Sequence, residues 1–146
     1  MTLDRFTAGA RTVLQAAERE AIQLGHRHVS SVHLLLALIA EPDGPAGWAL
    51  AEVGWSPERS RTSVIGLMKQ PSAPARGSAG LTEESKQAIE YAVAEANRLQ
   101  HHFVASEHLL LGLLHDGVAA SDLIQSMGIN GASLRAIVER RMWEDL

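Results

Sequence analysis

The feature that most constrains this chain is an internal repeat. Shifting the sequence by 75 positions places residues 6–39 over residues 81–114 without a gap, and thirteen of these 34 pairs are identical. The identities include a serine, a histidine and three consecutive leucines in each copy. Self-similarity of this length indicates two copies of one supersecondary unit, which bury their apolar faces against each other.

The repeat predicts a single domain of two units. Repeat 1 covers about residues 3–69, a linker covers residues 70–80, and repeat 2 covers about residues 81–146. The linker is rich in Pro, Gly, Ser and Ala and has no large apolar side chain. Such a composition is typical of a segment that cannot bury itself.

Each unit has the periodicity of four helices. Apolar residues recur at spacings of three, four and seven from Phe6 to Leu24 and again from Leu81 to Leu99, which predicts an amphipathic first helix. The second helix is apolar nearly all round, so we expect it at the centre of its unit. No stretch alternates as a strand would. The predicted fold class is therefore all-α, with two four-helix repeats in a pseudo-twofold eight-helix bundle. The later helices are predicted over Leu34–Ile39 and Leu109–Leu114, over Ala46–Val53 and Ala119–Met127, and from Ser56-Pro57 and Asn130–Ser133.

Hydroxyl residues stand where helices are expected to begin. Thr7 and Thr82 are predicted to cap the first helices, and Ser31 and Ser106 to cap the second. A hydroxyl at such a place accepts from the otherwise unpaired amides of the first turn.

The composition excludes several classes of protein. With 46% apolar and 21% charged residues the chain of 146 residues is typical of a globular domain. A net charge of −4 gives no support for nucleic-acid binding. The chain has no cysteine and no apolar run long enough to span a bilayer, so we expect a cytoplasmic protein that does not bind membranes.

Seven histidines raise the hypothesis of a metal-binding protein. Three lie close together in each repeat, at His26, His28 and His33 and again at His101, His102 and His108. Imidazoles suit zinc, but no carboxylate completes the first cluster. We therefore predict no metal site, and interpret His33 and His108 as part-buried side chains that hold the second helix to the preceding turn.

No motif of catalysis or of nucleotide binding occurs in the sequence. A P-loop, a nucleophile elbow and a His-Glu-x-x-His pair are all absent. Ser31 with His33 and Ser106 with His108 are two residues apart, so on a helix they point to different faces. We expect no enzymatic activity and no cofactor.

Glu107 lies in the first turn of an otherwise apolar helix. There a carboxylate is stabilised by the helix dipole, which is one interpretation. The other interpretation is that Glu107 lies beside the turn of Thr82 and receives a basic group of a ligand. The equivalent residue of repeat 1 is Val32, so a charge-reading site is not expected there.

These residues carry a resemblance to a known family. Arg5-Phe6-Thr7, the helix to Leu24 and the segment from His26 to Ile39 resemble the Clp N-terminal repeat, and the second copy with Ser-Glu-His-Leu-Leu-Leu-Gly-Leu is closer still. The chain is most similar to the N-domain of ClpC-type AAA+ unfoldases. The resemblance implies an eight-helix pseudo-dimer without enzymatic activity, which docks adaptor proteins and substrates of the Clp protease.

The resemblance also implies particular ligands and site residues. Members recognise phosphorylated arginine through a glutamate in each repeat, and Glu107 with Thr82 matches one such site, whereas Thr7 with Val32 matches a site that has lost its glutamate. Actinobacterial members bind cyclic peptide antibiotics where the two repeats meet. The positions here that match this surface are Leu3, Leu81, Lys86 and Glu90.

The chain ends without ATPase modules, which favours a free-standing accessory or decoy of the regulated-proteolysis system over an excised N-domain. We expect this protein to be a monomer. Two other classes stay open. One is the metal-binding protein of the histidine clusters. The other is a purely structural interaction module whose partner patch includes Trp48, Trp55 or Trp143.

Overall fold

The computed structural model describes residues 4–68 and 80–144. These residues form eight α-helices, and their only extended pairings are two isolated bridges, which confirms the all-α prediction. The predicted linker lies almost wholly outside the described residues. The helices are α1 (Ala8–Gln23), α2 (Ser31–Ala40), α3 (Pro45–Glu52), α4 (Pro57–Leu67), α5 (Glu83–Arg98), α6 (Ser106–Leu113), α7 (Ala119–Ser126) and α8 (Gly131–Glu144).

Most of the predicted helix ends are confirmed. Thr7 caps α1 by accepting from the Ala10 amide at 3.1 Å, and Thr82 caps α5 by accepting from the Ser85 amide at 3.2 Å. Ser56 caps α4 in the same way. Gly54 and Gly128 follow α3 and α7 with φ of 93° and 82°, a backbone conformation that glycine adopts without strain.

The predicted caps of the second helices are wrong by one residue. Ser30 is the N-cap of α2 and Ala105 is the N-cap of α6, so Ser31 and Ser106 are the first helical residues. Their hydroxyls bond to other parts of the chain instead. Ser31 Oγ accepts from the Ala120 amide at 2.9 Å, and Ser106 Oγ donates to Glu41 Oε2 at 2.8 Å.

The second helices lie at the centre, as predicted. Every residue of α2 from Ser31 to Ile39 is buried, and α2 contacts α6 as well as helices of its own repeat. In repeat 2, α6 has the same position and is packed chiefly against α5. The apolar residues of both repeats form one continuous core.

Candidate functional site

The two repeats are joined by a pair of crossed extended segments. The segment before α1 pairs with the turn before α6, since the Thr7 amide donates to Val104 O at 3.0 Å and the Val104 amide donates to Arg5 O at 2.8 Å. The equivalent residues make the reciprocal contact. The Thr82 amide donates to Val29 O at 3.0 Å. Each repeat therefore contributes its first segment to the beginning of the other repeat's second helix.

This crossing corrects the predicted partner of Glu107. Thr82 lies beside the start of α2, where it lines a groove together with Val32. Thr7 lies on the segment that pairs with the turn leading into α6, the helix of Glu107. The sequence shows which residues are equivalent but not which repeat faces which, so the pairs Glu107–Thr82 and Val32–Thr7 were exchanged. Thr7 therefore lies on the segment next to α6 and Glu107, and Thr82 lies in the same groove as Val32.

The start of α6, with Glu107, Ser106, Glu41 and Thr7, is here called the α6 site. Glu107 is half-buried in the first turn and lies near the carboxylate of Glu41. Burial raises the pKa of Glu41, the bond from Ser106 opposes that rise, and the charge of Glu107 adds to it. Glu41 Oε1 is buried and has no hydrogen-bond partner among the described residues. Two neighbouring carboxylates favour a cationic group beside them.

No side chain of the described residues is shown to cap the first amides of α6. Ala105 stands at the N-cap and has no side-chain oxygen, and the structure shows no side-chain bond to the N-terminal amides from it. The N–H groups of a first turn attract an anion. The α6 site thus offers carboxylates and helix amides side by side.

The start of α2, with Val32, Ser30, Thr82 and Glu84, is here called the α2 site. Val32 is buried, and Ser30 Oγ accepts from the Val32 amide at 3.2 Å. Glu84 Oε1 accepts from the Ser31 amide at 2.8 Å, and its Oε2 accepts from the Ala119 amide at 3.0 Å. One carboxylate of repeat 2 therefore binds the first amides of both α2 and α7.

A groove of about 670 Å³ opens beside the α2 site. Its apolar lining includes Val32, Leu67, Met68 and Leu123. Val32, Leu67 and Met68 belong to repeat 1, and Leu123 belongs to α7 of repeat 2. This groove accommodates apolar groups, in contrast to the carboxylates of the α6 site.

A pair of histidines holds each second helix to the preceding turn, as predicted. His33 Nδ1 accepts from the Ser30 amide at 2.9 Å, so its Nε2 carries the proton that bonds to His26 Nδ1 at 2.7 Å. The pair His108 and His101 repeats this geometry, with a ring nitrogen separation of 2.8 Å.

Glu41 and Glu84 were missed by the sequence reasoning. Neither is repeated in the other copy, where Asp116 and Gly9 stand at the equivalent positions. A search for duplicated residues therefore passes over both. The position of Glu84 in the first turn of α5 does not by itself indicate a functional role, because the helix dipole makes acidic residues common at that position.

The predicted cyclic-peptide surface stays a prediction. Leu3 lies outside the described residues. The backbone of Leu81 forms a bridge with Val29, and Lys86 and Glu90 are exposed one turn apart on α5. Lys86 Nζ lies 3.4 Å from Glu83 Oε1.

Residues 4–68 and 80–144 contain neither a group of metal ligands nor a membrane-spanning helix. No three His, Asp or Glu side chains there are grouped so that they could hold a metal ion. No helix in these ranges is long and apolar enough to cross a membrane. Of the tryptophans, Trp143 is exposed, whereas Arg59 lies over Trp55 and Arg141 over Trp48.

The fold and its two sites define a class of protein, the duplicated all-helical domains whose halves meet at the starts of their central helices. The sequence matches the Clp repeat (R) N-terminal domain over residues 5–79 and 80–142. The chain belongs to this family.

Several curated relatives share the domain. The chain is 34% identical over 131 residues to the negative regulator of genetic competence ClpC/MecB of Bacillus subtilis, and these residues are 89% of this chain and 16% of that protein. It is 34% identical over 134 residues to the chaperone protein ClpB of Oceanobacillus iheyensis, with the same two coverages of 89% and 16%. The chain thus spans about a sixth of the length of these relatives.

Solved structures have the same fold. The N-terminal domain of the chaperone ClpD from Arabidopsis thaliana has a TM-score of 0.78 at 28% identity, with 97% of each chain covered. The ClpV N-domain in complex with a VipB peptide has a TM-score of 0.70 at 18% identity, with 94% of this chain and 89% of that chain covered.

Proposed function

We propose that this chain is a non-enzymatic binding domain for adaptor and substrate peptides of the Clp regulated-proteolysis system, and that its α6 site reads a phosphorylated arginine. The membership of the family supports binding rather than turnover, and a ClpV N-domain has been solved with a peptide bound. The phosphoarginine ligand is the finer part of the proposal; it is what the resemblance to ClpC-type N-domains implies, and the chemistry of the α6 site supports it.

The observation that carries the ligand is the nearness of Glu107 and Glu41. Their mutual repulsion is part of what raises the pKa of Glu41. A guanidinium group between them would relieve this repulsion, because its N–H donors form charge-assisted bonds with carboxylates. A phosphoryl group on the same side chain would meet the uncapped amides of α6. Phosphoarginine combines both groups.

Titration calorimetry with phosphoarginine and with unmodified arginine tests the proposal. We expect phosphoarginine to bind more tightly than arginine, since only the former engages the helix amides. Glu107→Gln should weaken binding about tenfold to a hundredfold, which corresponds to the loss of a charge-assisted hydrogen bond of about 1.5–3 kcal/mol.

The matched control is Glu83→Gln, which removes one negative charge from a side chain that is 93% exposed. This variant should bind as the wild type does. Equal binding by the wild type and Glu107→Gln would contradict the role of Glu107. An absence of heat with phosphoarginine, together with no capture of an adaptor or substrate of a Clp protease, would contradict the whole proposal.

A further inference from the structure

We propose that Glu84 determines the specificity of repeat 1, because its carboxylate occupies the anion position at the starts of α2 and α7 and so keeps a phosphoryl group out. The inference rests on the proposed function, in which the equivalent position of repeat 2 receives such a group. It makes the chain a reader with one phosphoarginine site, although the fold is duplicated.

The first step is the geometry of the Glu84 carboxylate. Its two oxygens accept from the Ser31 amide at 2.8 Å and from the Ala119 amide at 3.0 Å. These are the first residues of α2 and α7, which belong to different repeats. N–H groups at helix starts bind phosphate as they bind carboxylate, so Glu84 uses the donors that an external anion would need.

The second step is that the neighbouring amide is also used. Ser30 Oγ accepts from the Val32 amide at 3.2 Å, so the first two amides of α2 both have side-chain acceptors. At the start of α6 the N-cap is Ala105, which has no such acceptor. The two sites of the pseudo-dimer therefore differ in whether their helix amides are free for a ligand.

The third step is the origin of the difference. Repeat 1 has Gly9 where repeat 2 has Glu84, so no carboxylate reaches the start of α6 from α1. Glu41 approaches that site from the end of α2, but its Oε2 accepts from the hydroxyl of Ser106 and its Oε1 has no partner among the described residues. Of the two carboxylates, Glu84 and Glu41, it is that of Glu84 which accepts from two helix amides.

The loss of the glutamate at Val32 and the gain of a carboxylate at Glu84 act together. Val32 offers no charge to a guanidinium, and Glu84 repels a phosphoryl group while it occupies the amides. The charge of Glu84 also acts on His33, and Thr82 Oγ1 donates to Glu84 Oε1 at 3.2 Å. The α2 site is left with the apolar groove beside Val32.

Amide chemical shifts test the anion position directly. In ¹H–¹⁵N correlation spectra, millimolar inorganic phosphate should shift the Ser31 and Ala119 amides of Glu84→Ala, a substitution that copies the small residue at Gly9. The same two amides should not move in the wild type or in Glu83→Gln, which removes the adjacent exposed glutamate. Glu84→Gln is the second variant and keeps the side-chain volume should the alanine weaken the contact between α2 and α7.

Phosphoarginine gives the second readout. In Val32→Glu alone, adding phosphoarginine should not shift the Ser31 and Ala119 amides. In Val32→Glu with Glu84→Ala, adding phosphoarginine should shift both amides, and a second ligand should bind in addition to the one at the α6 site. Phosphate that shifts these amides in the wild type, or fails to shift them in both folded Glu84 variants, would overturn the inference. The failure of the proposed function is separate, because it is read from the Ser106 and Glu107 amides of the wild type.

Discussion

At the scale of single residues, the paired histidines make folding sensitive to acid. Burial, and then the positive charge that His26 carries when protonated, lower the pKa of His33 to about 4, although Glu84 opposes the shift. Burial and His101 lower the pKa of His108 to about 4 as well, with Arg5 acting in the same direction and Glu95 against it. Both side chains are almost inaccessible, at 2% and 0% exposure.

The sign of the effect follows from proton linkage. Well above pH 6.5, as at pH 7.5, both histidines are almost wholly neutral in the folded and unfolded states, so they hardly change the free energy of unfolding. As the pH falls towards and below 6.5, the imidazoles of His33 and His108 bind protons in the unfolded chain but stay neutral in the folded chain, which lowers the free energy of unfolding. At pH 5 each histidine should lower the free energy of unfolding by about 2 kcal/mol, which urea unfolding at pH 7.5 and pH 5 will measure.

The control for this prediction is a pair of substitutions at the same positions. In His33→Gln/His108→Gln the amide side chains can still accept from the cap amides but do not titrate, so the loss of stability between pH 7.5 and 5 should be smaller. His28→Gln changes an exposed histidine and should keep the slope of the wild type. An equal slope in all three proteins would contradict the assignment. Glu41, whose pKa is raised, acts in the opposite direction and is present in each of them.

Glu95 should contribute more to stability than its repeat-1 counterpart Glu20. Burial would raise the pKa of Glu95, but hydrogen bonds from Arg135, His115 and Arg98 bring it down to about 2. Removing Glu95 leaves the side chains of Arg135, His115 and Arg98 without their shared acceptor, but these are 29%, 29% and 52% exposed and water can hydrate them. The cost is therefore that of charge-assisted hydrogen bonds, about 1.5–3 kcal/mol, and not that of an unpaired buried charge.

We therefore expect Glu95→Ala to lower the free energy of unfolding by about 1.5–3 kcal/mol in urea titrations at pH 7. Glu20→Ala is the matched variant. Within residues 4–68 and 80–144 the Glu20 carboxylate bonds to one side chain, that of Arg61, and the Glu20 side chain is 13% exposed, so we expect a smaller loss. Equal losses in the two variants would mean that the three-partner network adds nothing.

Residue roles were predictable from the sequence where they depend on local structure. Thr7 and Thr82 cap their helices, and the histidines hold the turns, because these bonds join residues a few positions apart. The bonds that join Glu84 to the starts of α2 and α7, and Ser31 and Ser106 to distant partners, span 35 residues or more. Nothing in the local sequence indicates these partners. The exchange of Thr7 and Thr82 has the same cause.

At the scale of helices, the two repeats differ in how closely their first and second helices approach. Gly112 on α6 lies against the backbone of α5, where an added Cβ would stand 2.8 Å from Ala92 N and closer still to Ala88 O. Repeat 1 has Ala37 at the equivalent position of α2. The glycine thus allows a backbone contact between α5 and α6 that a larger residue would block.

Gly112→Ala should destabilise the fold by about 1–3 kcal/mol, since the new methyl group meets backbone atoms that cannot rotate away. Gly47→Ala is the matched control, because a Cβ at Gly47 meets no atom within 4 Å and lies inside α3. There the gain in helix propensity should stabilise by up to about 1 kcal/mol. Urea unfolding measures both, and a stabilised Gly112→Ala protein would contradict the close packing.

The helices themselves were largely predictable, with ends within a few residues, because amphipathic periodicity, caps and glycine stops are features of the local sequence. The approach of α5 to α6 was not. The close approach of α5 to α6 depends on the contact of Gly112 with the backbone of Ala88 and Ala92, which precede it by 20 residues or more in the chain.

At the scale of the whole molecule, the crossed segments predict that the repeats unfold together. Thr7 of repeat 1 bonds to Val104 of repeat 2, and Thr82 of repeat 2 bonds to Val29 of repeat 1. The apolar residues of both repeats also form one core. Unfolding one repeat would therefore expose buried surface and unpaired backbone groups of the other.

A change in repeat 2 should consequently be felt in repeat 1. In a Trp48→Phe/Trp143→Phe background the remaining tryptophan, Trp55, which lies under Arg59 of α4, reports on repeat 1. Far-UV circular dichroism reports on the helices of both repeats. Gly112→Ala should lower the urea midpoint of the tryptophan fluorescence and of the dichroism by the same amount, since both follow one transition. A fluorescence midpoint that stays at its original value while the dichroism separates into two steps would show that the repeats fold independently, and the crossed bonds would then contribute little to joining them.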